Sequence, residues 1–196
     1  MKNKDAYIAE IALQQIAKFG FRKLTMQDVA DAANISRQTL YNHVANKNDL
    51  LKLVAHHYFE SIIQRCEADL NQATNLSDAF DSFIYHFIIE PWHMIKAIPE
   101  AEEFEATSNE IISDEIKQAT AQKAALIERT ITLYADKQGN EVMNNQLVNA
   151  KHIASFFCAT ATGIKGAADA EDELQLLCAT FKESLLRLAM PNKQVS

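Results

Sequence analysis

Nowhere along this chain do apolar and polar residues alternate as a half-buried strand requires; apolar positions recur instead every third or fourth residue. Ile8, Ile11, Ala12, Ile16 and Phe19 set that spacing, and further stripes repeat it as far as Leu188. The punctuation agrees. Four glycines and three prolines are all that interrupt 196 residues, too few for the many tight turns of a sheet protein. The expected fold is all-α, with about nine helices.

Helix ends can be placed from caps and breakers. Gly20 suits the left-handed position after a helix, closing the first stripe. Thr25 with Asp28 three residues on reads as an N-cap opening a helix over Met26 to Ala33. Ser36 can cap a short helix, and Asn46 a long one carrying Leu51, Val54, Ala55, Tyr58, Ile62 and Cys66 on one face. After a connection over 71–77, the stripe Leu76, Phe80, Phe83, Ile84 and Phe87 is expected to end at Pro91, and Pro99 to close a short segment Trp92–Ile98. An acidic run, PEAEEFE, comes next. Ile112, Ile116, Ala119, Ile127 and Tyr134 mark a further helix ending near Gly139. Two more are expected over about 145–167 and 171–190, with Pro191 as the stop.

Charge is unevenly divided. Residues 1–52 hold eight basic and five acidic side chains, a net of +3, so the remaining 144 carry −10 of the total −7. A basic head on an acidic body fits a head that meets a polyanion. The opening MKNKDAYIAE has no apolar core of signal-peptide length, and the longest apolar run, Phe83 to Ile89, is too short to span a bilayer. A cytoplasmic protein with no membrane partner is expected. Cys66, Cys158 and Cys178 are odd in number and widely spaced, reading as buried small hydrophobes and not as a disulfide or zinc framework. His86 and His93 are seven apart with Pro91 expected to break the helix between them, so no metal is assigned. No glycine-rich phosphate loop, nucleophile elbow or HExxH is present, so neither enzymatic activity nor a cofactor is expected.

The segment AANISRQTLYNHV, residues 32–44, joins two short helices by a tight turn. Val29, Ala30, Ala33, Ile35, Leu40 and Val44 can form a small core that leaves Arg37, Gln38, Thr39, Tyr41, Asn42 and His43 facing outward. Arg and Gln match base edges in the major groove, while Thr, Tyr and Lys suit phosphates. Taken alone, the pattern fits a helix-turn-helix or an ordinary helical corner with a solvated face.

The longer stretch IAEIALQQIAKFGFRKLTMQDVADAANISRQTLYNHVANKNDLL resembles the DNA-binding region of the tetracycline-repressor (TetR/AcrR-type) family of bacterial transcriptional regulators. The likeness lies in Gly20 followed by an aromatic, Thr25, Val29-Ala30, Ala33, Ile35-Ser36, Thr39-Leu40-Tyr41, and Lys47 ahead of Leu50. It implies a DNA-binding head over 1–50 and a helical ligand-binding and dimerisation domain over 51–196. It further implies a homodimeric repressor of double-stranded operator DNA, released by a small-molecule inducer. A fold-sharing architectural or division-linked DNA binder without a ligand is the alternative. By the same resemblance Thr25, Thr39, Tyr41 and Lys47 hold phosphates, Arg37, Gln38 and Asn42 read bases, and His43 does either. Asn34 stands where relatives usually carry glycine, Gln38 where a small residue is common, and Val44 where Phe is usual; Asn is among the few residues tolerant of the left-handed region.

For the remaining three quarters only the helical outline matches. Polar groups on stripes that should be dry mark a candidate pocket: Arg65 beside Tyr58 and Ile62, and Lys123 with Thr130 in line with Ile127. With Phe83, Phe87, Trp92 and Tyr134 these form the candidate ligand set; otherwise Arg65 pairs with Asp69 at i,i+4, Lys123 runs out to water, and the aromatics are core. The last two helices are expected to pair across a dimer through Ala154, Cys158, Ala161, Leu177, Phe181 and Leu185, unless these residues pack within one chain.

Overall fold

The computed structural model describes residues 4–137 and 148–190, and among them every regular element is a helix. The order is α1 (Lys4–Phe19), α2 (Met26–Ala32), α3 (Arg37–Tyr41), α4 (Lys47–Leu70), α5 (Leu76–Ile84), a π-helical turn (Tyr85–Ile89), α6 (Glu90–Lys96), α7 (Ala101–Ile111), α8 (Ser113–Lys137), α9 (Ala150–Ala167) and α10 (Glu171–Ala189). Because α5, the π turn and α6 run on without a gap, the described chain forms nine rods. The expected endings near Gly139 and at Pro191, and a start of α9 before 148, lie outside the described residues.

The caps fall where side-chain chemistry puts them. Gly20 takes φ +79° after α1. Asn46 Oδ1 accepts the backbone N–H groups of Asn48 and Asp49 at 2.9 and 3.0 Å, opening α4. Asn75 and Asn149 cap α5 and α9. The expected break at Pro91 does not occur. The π turn ahead of it widens the ladder, with Glu90 N–H reaching Tyr85 O, and so accommodates inside the rod a proline that brings no N–H of its own. His86 and His93 therefore lie on one uninterrupted rod.

Packing divides the chain into two compact units, each drawn from two separate stretches of sequence. The first comprises residues up to Ser61 together with His93–Ala119. Its core joins Ile8, Ala12 and Ile16 of α1 to Val29, Leu40, Leu50 and Val54, with Ile98, Phe104 and Ile112 from the later segment. Phe21 and Phe104 meet edge-on at 6.2 Å. Residues 97–104 thus help close the core of the N-terminal helices, a role the acidic run in the sequence does not advertise.

The second unit holds Ile62–Trp92 and the chain from Thr120 onward. Here α10 packs on α9 and α5, and α9 packs on the π turn. The centre is aromatic: Phe83 stacks on Phe87 at 5.9 Å, both meet the edge of Phe157, and Phe157 lies 5.2 Å from Phe181. Cys66 and Cys178 are buried, and burial, with Asp69 and Glu67 adding to it at Cys66, pushes their thiols up to about 12 and about 11. Both behave as inert apolar side chains. Cys158 is only half-buried.

Candidate nucleic-acid interface

The helix-turn-helix is built from two caps and one left-handed residue. Thr25 Oγ1 accepts the Asp28 backbone N–H at 3.2 Å, while Asp28 Oδ2 accepts from Thr25 N–H at 2.8 Å and from its hydroxyl at 2.6 Å. This reciprocal box fixes the start of α2, and the Thr25 bonds hold the Asp28 carboxyl below its usual range. Asn34 sits at φ 52°, and Ile35 N–H returns to Ala30 O at 3.0 Å, turning the chain sharply after α2. Ser36 Oγ then accepts the Thr39 N–H at 3.0 Å and starts α3. Leu40, fully buried, pins α3 to the core beneath it. Thr25→Ala is expected to cost about 1 kcal/mol, read as a lower urea midpoint at unchanged slope; an unmoved midpoint would show that the box adds nothing.

With Leu40 inward, Arg37, Gln38, Tyr41 and Asn42 are exposed on one side of α3. They are paired one turn apart. Arg37 Nη2 donates to Tyr41 Oη at 3.2 Å with its guanidinium 5.5 Å from the ring centroid, and Gln38 Nε2 donates to Asn42 Oδ1 at 3.3 Å. These i,i+4 contacts limit the rotamers that long polar side chains would otherwise sample.

The other candidate residues are already engaged. The Thr39 hydroxyl lies 2.8 Å from Ser36 Oγ, and the Thr25 hydroxyl serves its cap. His43 Nδ1 meets Asp5 Oδ1 of α1 at 2.5 Å. Lys47 is turned onto the α1–α2 connection, where its ammonium donates to Arg22 O at 3.0 Å and lies 4.6 Å from the Phe21 ring centroid. Burial lowers its pKa. It forms part of the wall of a cleft of about 350 Å³ whose other walls include Pro99, Glu103 and Phe104. Two cations on the connection, Arg22 and Lys23, pair with Glu103 and Glu100 at 3.0 and 3.1 Å. The sequence held no signal for Asp5, Glu100 or Glu103, because each contact spans 38 or more residues.

The candidate ligand residues divide between the units. Tyr58, half-buried on α4, belongs to the first. In the second, Ile62, Phe83 and Phe87 are core. Trp92 and Tyr134 are nearly buried, and their polar tips donate to Ala168 O at 3.1 Å and Ala73 O at 2.8 Å, so both tie helices to connections. Thr130 donates within its own helix to Leu126 O. Arg65 does not pair with Asp69: its Nη2 meets Glu90 Oε1 at 2.6 Å, while Asp69 is taken by His86 Nε2 at 2.7 Å. Two carboxylates flank the buried His86 ring, which leaves Glu90 within reach of the guanidinium. Lys123 does not run out to water. Its ammonium lies 5.2 Å from the Phe87 ring centroid, and burial, aided by Lys165, brings its pKa down to about 8.

The residues expected at a dimer face mostly look inward. Ala154, Ala161, Phe181 and Leu185 are buried within the single chain, and Cys158 and Leu177 are half-buried. The outward face of α9 and α10 carries Phe156, Ala159, Gly163, Gly166, Leu176 and Thr180 instead. Leu176 is 68% exposed, and a Cβ at Gly163 or Gly166 would meet nothing within 4 Å. Among the described residues, no helix is long and apolar enough to cross a membrane.

Residues 8–54 match the family model for bacterial regulatory proteins of the tetR family. Over 43 residues the chain is 44% identical to a protein of Escherichia coli (strain K12) named as the probable acrEF/envCD operon repressor, a match covering 22% of this chain and 20% of that protein. Over 73 residues it is 32% identical to the HTH-type transcriptional regulator YvkB of Bacillus subtilis (strain 168), covering 36% of this chain and 39% of YvkB. The chain thus matches only a fifth to two fifths of the length of these relatives. In fold the likeness extends along nearly the whole chain: a TetR transcription regulator from Haloarcula marismortui superposes with a TM-score of 0.73 over 96% of this chain and 99% of its own, at 18% identity.

Proposed function

From residues 8–54, a tetR-family region at the head of a chain with the TetR-type fold, we infer a homodimeric repressor that binds operator DNA and is released by a small molecule. The observation that carries the DNA half of this reading is the exposed face of α3. Arg37, Gln38, Tyr41 and Asn42 are held in pairs above a buried Leu40, on a short helix of the width a major groove admits. Arg37 and Gln38 supply base-edge donors and acceptors, Asn42 reads beside Gln38, and Tyr41 and Thr39 meet phosphates. Lys47 reaches a phosphate only by leaving Arg22 O. Its role is therefore conditional on a side-chain rearrangement at the cleft.

Gln38→Ala is expected to relax preference at one or two base pairs by about 1–3 kcal/mol each. DNA fragments that the protein selects from bacterial genomic DNA, followed by a full single-substitution profile of the best site, would measure this. An unchanged profile would remove Gln38 from base reading. Because Gln38 and Asn42 share a hydrogen bond, their effects should be non-additive.

A dimer is supported by the outward face of α9 and α10, where glycines that their own chain does not require would let a second copy approach closely. Two-fold symmetry then sets two α3 helices one turn of DNA, or a multiple, apart. For the inducer, the supporting feature is Lys123, a cation held against Phe87 in an aromatic interior, which fits a ligand joining an apolar body to an anionic group. Release follows if the ligand favours a tilt of α4, a helix with residues in both units; linkage then requires inducer and operator to oppose each other equally.

A further inference from the structure

We propose that Asp5, an acid on the DNA-facing head, strengthens DNA binding by holding His43 as an imidazolium whose Nε2–H is given to a backbone phosphate. The proposal rests on the head being a DNA-binding surface, and it assigns a positioning residue that lies outside the helix-turn-helix.

Nδ1 of His43 faces Asp5 Oδ1 at 2.5 Å, with the two side chains 23% and 42% exposed. A carboxylate can only accept, so the proton in this contact belongs to Nδ1. That assignment fixes the ring plane and turns Nε2 to the far side. His43 directly follows the exposed Tyr41 and Asn42, and its N–H is bonded to Leu40 O at 2.9 Å, which sets the backbone from which the ring projects. A neutral ring with its proton on Nδ1 would show a bare Nε2 lone pair to DNA, which a phosphate repels. A ring caught between Asp5 and a phosphate faces acceptors on both sides, and only the doubly protonated form satisfies both. Asp5 is the charged group in contact with the ring among the described residues. Its position in the first turn of α1 places its own charge favourably at the helix N-terminus, so it does not depend on His43 to be tolerated there.

The consequence runs against simple charge counting. Asp5→Asn removes a negative charge from a surface that meets a polyanion, which by charge alone should tighten binding. Here it weakens binding about tenfold, because the charge-assisted contact that secures the imidazolium is lost. The measurement uses the full chain, a fluorescein-labelled 30-base-pair duplex of mixed sequence and the best genomic fragment, each titrated across a range of salt. Asp5→Asn should weaken both duplexes alike and flatten the logarithmic salt slope by about one per head, as for one lost phosphate contact. Asp5→Glu should restore most of the affinity. In a His43→Gln background the sign should reverse, so that Asp5→Asn leaves binding unchanged or slightly tighter. Nitrogen-15 shifts of the His43 ring in the complex should report both nitrogens protonated in the parent, and a lone pair on one of them in Asp5→Asn.

Equal or tighter binding by Asp5→Asn in the parent background would overturn the proposal, as would a bare Nε2 in the parent complex. Failure of the parent protein to bind either duplex at low salt would instead overturn the DNA-binding reading beneath it.

Discussion

Phe157→Ala is expected to lower the unfolding free energy by about 3–5 kcal/mol, the usual cost of emptying an aromatic site in a packed core. Phe157 is 1% exposed and meets Phe83, Phe87 and Phe181 with ring centroids 5.2 to 6.4 Å apart. These partners come from α5, the π turn and α10, while Phe157 itself belongs to α9, so one ring joins four elements of the second unit. Relaxation into the void is restricted because each neighbour is held by the others. The melting temperature should fall by roughly 10 °C for a chain of this size. A fall under about 2 °C would mean that the aromatic cluster is loosely packed and that stability resides elsewhere.

Leu176→Glu should leave the fold intact and abolish the dimer proposed through α9 and α10. The side chain is 68% exposed in the single chain, so its replacement disturbs no intrachain core. In a homodimer joined through α9 and α10 it would place two buried carboxylates near a two-fold axis, where neither has a partner. Sedimentation should report monomers, and operator affinity should fall at least about a hundredfold as the second half-site ceases to be bound intramolecularly. A dimer that survives would move the interface away from this face. Phe181→Glu, the substitution that the apolar stripe of α10 invites, tests something else. Phe181 is 4% exposed against Phe156 and Phe157, so a carboxylate there disrupts the monomer first.

That contrast shows where sequence reading stops. A stripe such as Leu174, Leu177, Cys178, Phe181 and Leu185 reveals that one side of a helix is dry, but not whether its cover is the same chain or another copy. In the structure the stripe faces α5 and α9, and the candidate dimer face consists of glycine, alanine, threonine and two isolated large apolar residues, with no periodic signal of its own. Arg65 illustrates the same limit for charges. Asp69 is the i,i+4 partner that the sequence offers, yet in the structure Glu90 meets Arg65 and His86 meets Asp69.

The sequence by itself determined the helical class, the caps at Thr25, Ser36 and Asn46, the left-handed corner at Asn34, and the exposure of Arg37, Gln38, Tyr41 and Asn42 on α3. All of these follow from interactions within about five residues, where spacing along the chain is spacing in space. Tertiary structure decided the rest. It carried the helix through Pro91, folded Lys47 onto Phe21 and Arg22 O, turned Phe181 and Leu185 inward, drew Lys123 against Phe87, and set Asp5 on His43. Each of these depends on which element covers which, and that choice is made by packing between residues distant in the chain, where local propensity carries no information.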